Sequence, residues 1–396
     1  MKVLIVGAGL TGLVLAHRLL SQGADVTVAT ARTSDELRRG SAQMTQLTLP
    51  TALGMERTLK LDMWEQEPHL FQTVSMNVTR AGQSFGFTGN LGAAGAAVEP
   101  RVKLPDLLEY FEDRGGKVSI HGITVSDLSY FTRMFDATIV TVGAGELGQL
   151  FHTDPSRPLA AEQQVVSQVY LHHLPVPESG ADVEVYSIEG AEIYVVPILT
   201  SYGIAHSVMV AARPGRENPL DLSGERARDV HGLLSTRLPH LLPELGERFR
   251  DAEMADPRDA LITTVSPVVR TPVAHLGGGI VVGAGDTVVT TEPRTGQGWS
   301  LSTKLGFETA DRMVVHHKNG GAFDEAFFSG MFSDLWESRI RPTAAFSQLI
   351  NAVHSDNTPP ELLQAMDQAA ADPAFANTWV RGFDDPAALA QMLPMN

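Results

Sequence analysis

The 396-residue sequence contains no cysteine. That excludes disulfides, thiolate metal sites and a cysteine nucleophile, and it leaves the redox compartment open. Positive charge is scarce: 30 Lys and Arg stand against 46 Asp and Glu, a net charge of −16. A chain this acidic repels phosphate backbones and anionic lipid unless it carries a local basic patch. The doublet Arg38-Arg39 stands almost alone, so neither nucleic acid nor a membrane surface is an expected partner. The apolar N-terminal run Val3–Ala16 is shorter than the about 20 residues that a spanning helix needs. Gly7, Gly9 and Gly12 interrupt it and His17-Arg18 follow at once, unlike a signal peptide, so a cytoplasmic location is expected.

What the chain does contain is an ordinary globular mixture, 43% apolar and 19% charged, at a two-domain length. Lys2–Val6 reads as a buried parallel strand, and Leu10–Ser21 as a helix with apolar residues at helical spacing. Asp25–Ala29 reads as the next strand, and Arg32–Gly54 as a polar stretch without pattern until a helix over Ala52–Leu61. Val74–Val78 and Gln83–Phe87 flank Ala81-Gly82 as a hairpin. A helix over Leu104–Asp113 and strands over Lys117–Ile120 and Ala137–Val142 follow. From Gln163 to Arg213, alternating β-branched runs predict an antiparallel meander. Gly224–Phe249 is predicted as a helix, Gly279–Gly283 as a strand, Trp299–His316 as a long helix, and three more helices fill the chain from Asp324.

This order predicts an α/β protein of two interleaved domains. A Rossmann-like nucleotide domain would be built from 1–75, 101–160 and 276–320. A mainly antiparallel substrate domain would be inserted as 76–100 and 161–275, with a C-terminal helical region over 321–396.

Gly7-Ala8-Gly9-Leu10-Thr11-Gly12 is GxGxxG between a strand and a helix. Gly7 suits the tight turn, Gly9 has no Cβ to hold a pyrophosphate away, and Gly12 lets helix and strand pack closely. The exposed N–H groups and the helix dipole then face the negative group. The acid that usually takes a ribose hydroxyl at the end of the second strand is replaced by Thr30, with Arg32 beyond it. A neutral hydroxyl makes a weaker bond than a charge-assisted one, so looser cofactor binding is expected. Gly143-Ala144-Gly145-Glu146-Leu147-Gly148 repeats the pattern. Too few residues pass before Pro155 for a second crossover unit, so this strand is expected to return beside the first cofactor site.

A third cluster runs through Gly285-Asp286 and Pro293 to Gly296-Gln297-Gly298 at the head of the long helix. A helix N-terminus of small residues can place N–H groups against a flavin's pyrimidine edge, and Asp286 can accept from a ribityl hydroxyl. Together with the first motif it points to FAD.

GAGLTG, the Gly-Asp cluster and VEPRVKLPDLLEYFEDRGG around Arg101 resemble flavin monooxygenases of the para-hydroxybenzoate hydroxylase fold. More narrowly, the chain resembles the oxygenase component of styrene and indole monooxygenases. DELRRG, TALGMERTLKLDMW, GAGDTVVTTEPRTGQG, the Thr30 strand end and TPPELLQAM carry that likeness over essentially the whole length. The resemblance implies FADH2 from a separate NAD(P)H:flavin reductase, reaction with O2 to a C4a-hydroperoxyflavin, and transfer of one oxygen to an aromatic alkene or an indole. It implies that Gly7, Gly9, Gly12, Arg101, Asp286 and Gly296–Gly298 hold FAD, that Pro293 sits over the flavin, and that the protein is a homodimer. The segment SAQMTQL after Gly40 departs from the asparagine-containing sequence associated with styrene epoxidases.

Single-component NAD(P)H-dependent aromatic hydroxylases of this fold use an Asp-Gly motif, and no Asp-Gly dipeptide occurs here. Flavin halogenases carry WxWxIP, whereas Trp64, Trp299, Trp336 and Trp379 are isolated. A non-catalytic module of the Rab-escort type would have no use for the Asp286–Gly298 cluster. Oxygen transfer asks the protein to exclude water and hold an apolar substrate. Tyr186, Tyr194, Val196 and Ile198 are candidates for lining that pocket, and Thr45 and Gln46 for facing the flavin. His172-His173 on a strand would point to opposite faces and hold no metal, and Ser-His-Asp catalysis is not expected.

Overall fold

Lys2–Val6 forms β1, and Leu10–Ser21 follows as α1, both over the residues that local pattern marks. The computed structural model describes residues 1–64, 70–143, 145–159, 162–355 and 357–390. Ala144 of the second glycine motif, the 160/161 domain boundary and residues 391–396 lie outside these. Strands β2 (Asp25–Thr30), β3 (Leu70–Arg80), β4 (Gln83–Ala96), β5 (Lys117–Ile120) and β6 (Ala137–Val140) come from the first part of the chain. The middle supplies β7 (Gln164–Leu171), β8 (Val183–Ile188), β9 (Ala191–Thr200), β10 (Gly203–Ala212) and β11 (Ala260–Val265). Short strands β12 (Val268–Val269), β13 (Val273–Leu276), β14 (Gly279–Gly283) and β15 (Val289–Thr290) follow.

The helices between them are α2 (Ser34–Arg38), α3 (Pro50–Thr58), α4 (Pro100–Asp113), α5 (Val125–Phe131), α6 (Val230–Leu241) and α7 (Pro243–Arg250). Then come α8 (Gly298–Lys318), α9 (Glu325–Leu335), α10 (Arg341–Ala352), α11 (Pro360–Ala371), α12 (Pro373–Arg381) and α13 (Pro386–Ala390). No helix among the described residues is long and apolar enough to cross a membrane.

One sheet has the order β13-β14-β6-β1-β2-β5. Its strands from β14 to β5 run parallel, and only β13 is antiparallel. The strand order reverses at β1, with β2 on one side and β6 on the other. In open α/β sheets such a switch point is where ligands bind, outside the carboxyl ends of the strands. Helices α1 and α8 pack against each other in the core around this sheet.

The second sheet has the order β11-β7-β10-β9-β8-β3-β4. The β3–β4 hairpin turns at Ala81 and Gly82, both with positive φ, as a two-residue turn of this twist requires. The expected meander holds for β8–β9–β10 only. Strand β7 pairs with β10 rather than β8, and β8 lies parallel to β3. Side chains of one face pack on α6 and α7, while the other face meets α10–α12 and the loop around residues 42–49.

Other differences have local causes. The helix predicted over Gly224–Phe249 breaks at Leu242, because Pro243 holds the residue before it away from helical geometry. Among the described residues the C-terminal region holds five α-helical segments rather than three, the first two joined without a break by the turn Trp336–Ile340. Pro360, Pro373 and Pro386 each sit at a first turn, where the missing N–H costs nothing, whereas Pro342 follows a π turn at Trp336–Ile340 inside a continuous helical run. The supposedly patternless stretch after Arg32 contains α2, started by a capping box between Thr33 and Glu36. His172-His173 lie just past β7, and His173 has φ 59°.

Candidate active site

Three glycine turns meet at the carboxyl ends of β1, β6 and β14. Gly7 has φ 117°, and a Cβ there would lie 2.8 Å from Thr141 Oγ1. Thr141 itself donates to Gly7 O at 3.0 Å, stitching the end of β6 to that of β1. A Cβ on Gly12 would lie 2.6 Å from Gly7 O, so α1 can sit on its strand only with glycine there. Gly9 differs. Its Cβ would meet nothing nearer than Thr141 O at 3.6 Å, so no protein neighbour requires glycine at that position. Gly9 is the N-cap of α1 and makes no side-chain cap bond. The space beside it, at a helix N-terminus, is what a pyrophosphate needs.

Gly285, with φ 61°, packs on Thr11, and Gly143 N donates to Thr287 Oγ1 at 3.0 Å. Asp286 lies beside Gly143. Its carboxyl is accessible to solvent, yet burial by surrounding protein raises its pKa, with no hydrogen bond opposing the shift. Those two facts agree if the carboxyl opens onto a cleft within the protein body rather than onto the outer surface. Gly7, Gly9, Leu10, Thr11, Gly12, Gly285 and Asp286 therefore form one group. Thr30 is next to it through β1–β2 pairing, with its hydroxyl 3.3 Å from Arg32 N, and Arg32 is exposed.

A second group forms around the start of α8. Pro293–Thr295 makes a 3-10 turn, and Gly296 follows with φ 61°. Gln46 Oε1 lies 2.9 Å from where a Cβ on Gly298 would be, and Leu47 Cδ1 lies 3.1 Å from that of Gly296. The loop after Gly40 thus covers the head of α8. Thr45 is not on an exposed loop: it is buried, its N–H donates to Gln168 Oε1 at 2.5 Å, and its hydroxyl is 2.6 Å from Ser207 Oγ. Gln297 sends its amide to Phe383 O at 2.7 Å and its carbonyl accepts from Leu301 N at 2.9 Å, which leaves its backbone N–H without a partner among the described residues. Arg101 stands apart from both groups. It is buried in ion pairs with Glu99 and Asp259, and its Nη1 reaches Gly40 O at 3.5 Å.

Residues 1–76 match the family model described as FAD binding domain. The chain is 25% identical over 324 residues to styrene monooxygenases of Pseudomonas fluorescens and of a Pseudomonas species, covering 80% of this chain and 78% of each relative. The chain is an FAD-dependent monooxygenase, similar to styrene monooxygenase. Among solved structures, a flavoprotein/dehydrogenase from Cytophaga hutchinsonii has a TM-score of 0.66 at 16% identity, covering 100% of this chain and 99% of its own. The p-nitrophenol 4-monooxygenase of Pseudomonas putida has a TM-score of 0.66 at 13% identity, with 97% of each chain covered. At these identities the two share the fold with this monooxygenase. The glycine turns and the unpartnered carboxyl of Asp286 suit FAD.

Sequence reasoning misplaced one aromatic of the monooxygenase and missed a charged cluster. Tyr194, Val196 and Ile198 lie on the same face of the sheet as Leu47, but Tyr186 is on the opposite face, bonded to Glu184 and packed among the residues of α6 and α7. Counting by twos along β8 and across its register with β9 separates Tyr186 from Tyr194. Arg294, beside Pro293, is buried among Glu192, Glu292, Gln164 and Asn351. Its place in a nominal loop hid it. Gly82-Gln83-Ser84-Phe85-Gly86 does spell GxSxG, but Ser84 is on a hairpin strand with its Oγ 2.9 Å from Thr79 Oγ1, not on a strand-to-helix elbow. Among the described residues no three His, Asp or Glu gather as metal ligands.

Proposed function

We propose that this monooxygenase receives FADH2 from a separate NAD(P)H:flavin reductase and transfers one oxygen of O2 to a small apolar aromatic alkene or an indole-like substrate. Reduced FAD and O2 supply the electrophilic oxygen. The chain's own residues bind and orient. Gly9 and the first turn of α1 would receive the pyrophosphate, and Asp286 would accept from a ribityl hydroxyl. The N–H groups of Gln297 and Gly298 would face the pyrimidine edge, that of Gly296 being donated to Pro293 O at 3.1 Å, with Pro293 beside the ring. Thr45 anchors the loop that carries Gln46 to the head of α8, and Arg101 supports the start of that loop. The apolar face of Tyr194, Val196 and Ile198 with Leu47 would keep water from the reacting oxygen and favour an apolar substrate.

The observation that carries the FAD placement is the accessible, unpartnered Asp286 carboxyl beside the glycine turns. The two-component reading is supported by the missing Asp-Gly dipeptide. Further support comes from the second glycine motif, which follows a strand of the first sheet and leads into a 3-10 turn at Gly148–Leu150. A homodimer in the cytoplasm completes the reading, and sedimentation of the purified protein tests the dimer. The main test mixes the anaerobic FAD-loaded protein with NADH or NADPH, then supplies chemically reduced FAD and air with styrene or indole. The expected result is no flavin bleaching by either nicotinamide, and an oxygenated product once reduced FAD is given. Rapid bleaching by NADPH alone would establish a single-component hydroxylase instead.

A further inference from the structure

Behind the Pro293–Thr295 turn lies a buried ionic cluster that the FAD reading leaves unused. Glu192 of β9, Glu292 and Arg294 are each nearly inaccessible to solvent. Arg294 Nε is 3.0 Å from Glu192 Oε2 and 3.4 Å from Glu292 Oε1, and it donates to Gln164 Oε1 of β7 at 3.1 Å. Its Nη1 donates to Asn351 Oδ1 of α10 at 3.1 Å, and Asn351 Nδ2 donates in turn to Glu292 Oε2 at 2.6 Å. The Arg294 carbonyl accepts from the Tyr194 hydroxyl at 2.6 Å, and the Thr295 hydroxyl meets Ser347 Oγ of α10 at 3.1 Å. One residue thus ties this turn to two strands and a helix.

The geometry points to Arg294 as a positioning residue for oxygenation. Clamped between β7, β9 and α10, it sets the pose of the Pro293–Gly296 turn and of the first N–H groups of α8, and the charge on Glu192 modulates the field those groups present. This rests on the placement of the flavin edge at that turn.

The charge balance supplies the argument. Two carboxylates share one guanidinium, so full ionisation leaves a buried net charge of one negative unit. The other charged or titratable groups facing Glu192 are few. Arg213 also pairs with Glu162 at 2.9 Å. His354 Nε2 is 2.9 Å from Ser187 Oγ, whose hydroxyl donates to Glu192 Oε1 at 3.3 Å. Burial, with Arg294, Arg80 and Arg213 adding, lowers His354 to about 4, so it brings no positive charge at neutral pH. Burial pushes Glu192 up to about 7, against the pull of Arg294 and with Glu292 reinforcing the rise. Below that pH Glu192 holds a proton and the trio is neutral. Above it, negative charge lies behind the N–H groups that would face a flavin edge growing negative on reduction.

The test is anaerobic fluorescence titration of the full chain with reduced FAD between about pH 6 and about pH 8.5, with the melting temperature of each apo-protein measured alongside. Affinity of the parent should fall about three- to tenfold as pH rises through that range. Glu192→Gln should keep the acid-side affinity throughout and melt no lower than the parent. The difference between the two profiles removes whatever titration belongs to the flavin itself. The double variant Arg294→Met with Glu192→Gln should stay folded and bind reduced FAD more weakly at every pH. Parallel profiles for parent and Glu192→Gln would overturn the role of Glu192, and parent-like affinity in the double variant would overturn that of Arg294. If the double variant fails to fold, Arg294→Lys, which keeps the charge but not the fork of donors to Gln164 and Asn351, should bind reduced FAD more weakly at every pH, and parent-like affinity there would overturn the role of Arg294. Failure of the parent itself to bind FAD would instead sink the FAD placement on which the proposal rests.

Discussion

Gly285 presses directly on Thr11: a Cβ at Gly285 would lie 2.5 Å from the Thr11 hydroxyl oxygen. The contact joins the two ends of the cofactor domain, since Thr11 belongs to the first glycine motif and Gly285 follows β14. Gly285→Ala adds left-handed backbone strain at φ 61° to that clash. The expected cost is about 2–4 kcal/mol of stability, with FAD affinity lowered as well. Denaturant unfolding of the apo-protein checks the first figure. A loss of less than about 0.5 kcal/mol would mean that the two turns are not packed as described.

Gly9 and Gly12 should separate a glycine kept for a ligand from one kept for the fold. Gly9→Ala meets only ordinary contact on the protein side, so the apo melting temperature should stay within about 2 °C of the parent. FAD binding should nevertheless weaken at least about tenfold, because the new methyl occupies the pyrophosphate's space. Gly12→Ala places its Cβ 2.6 Å from both Gly7 O and Thr141 Oγ1, and should lower the apo melting temperature outright. Equal stability losses in the two variants would remove the distinction.

The parts of this protein that were legible in the sequence are those fixed by neighbours along the chain. Strand β1 and helix α1 match the bounds read from pattern because a short apolar run, a Gly turn and a helical repeat suffice to define them. The return of β6 beside β1 was also legible, from the short distance between Gly148 and Pro155. What escaped depends on partners far away in sequence. Thr45 reads as loop until Gln168 and Ser207 appear beneath it, and nothing in the spacing around Gln297 shows that Phe383 O takes its side-chain amide. Arg294 finds its partners in β7, β9 and α10, a convergence that no local spacing encodes.

Asp286 should matter to the cofactor and not to the fold. Burial raises its carboxyl without a hydrogen bond to compensate, so the apo-protein gains nothing from the charge. Asp286→Ala is expected to leave apo stability within about 0.5 kcal/mol of the parent, since the solvent-accessible carboxyl makes no hydrogen bond in the apo-protein. FAD affinity should fall by about tenfold or more, as expected for a lost hydrogen bond to a charged acceptor. Isothermal titration with FAD and thermal melts of the apo-protein read the two effects separately. An unchanged affinity would take Asp286 out of the site.

His17 gives the monooxygenase a pH-dependent stability that is independent of the cofactor. The imidazole is fully buried under α4, with Nε2 2.9 Å from Leu107 O and Nδ1 3.2 Å from Arg114 Nη1. A guanidinium can only donate, so Nδ1 accepts, Nε2 carries the proton to Leu107 O, and the ring is neutral. Burial lowers its pKa from 6.5 to about 4, with the Leu107 carbonyl opposing and Arg114 adding to the fall. As pH drops below about 6.5, the unfolded chain takes up a proton that the folded chain refuses. Stability from this residue is therefore present at neutral pH and is lost on acidification, by about 3 kcal/mol in all by the time pH reaches about 4. His17→Gln can still donate to Leu107 O but does not titrate. Unfolding free energies of parent and variant should differ by less at about pH 4.5 than at about pH 7, by about 2–3 kcal/mol. A difference that stays constant between the two conditions would show that His17 takes up its proton as readily in the folded protein as in the unfolded chain.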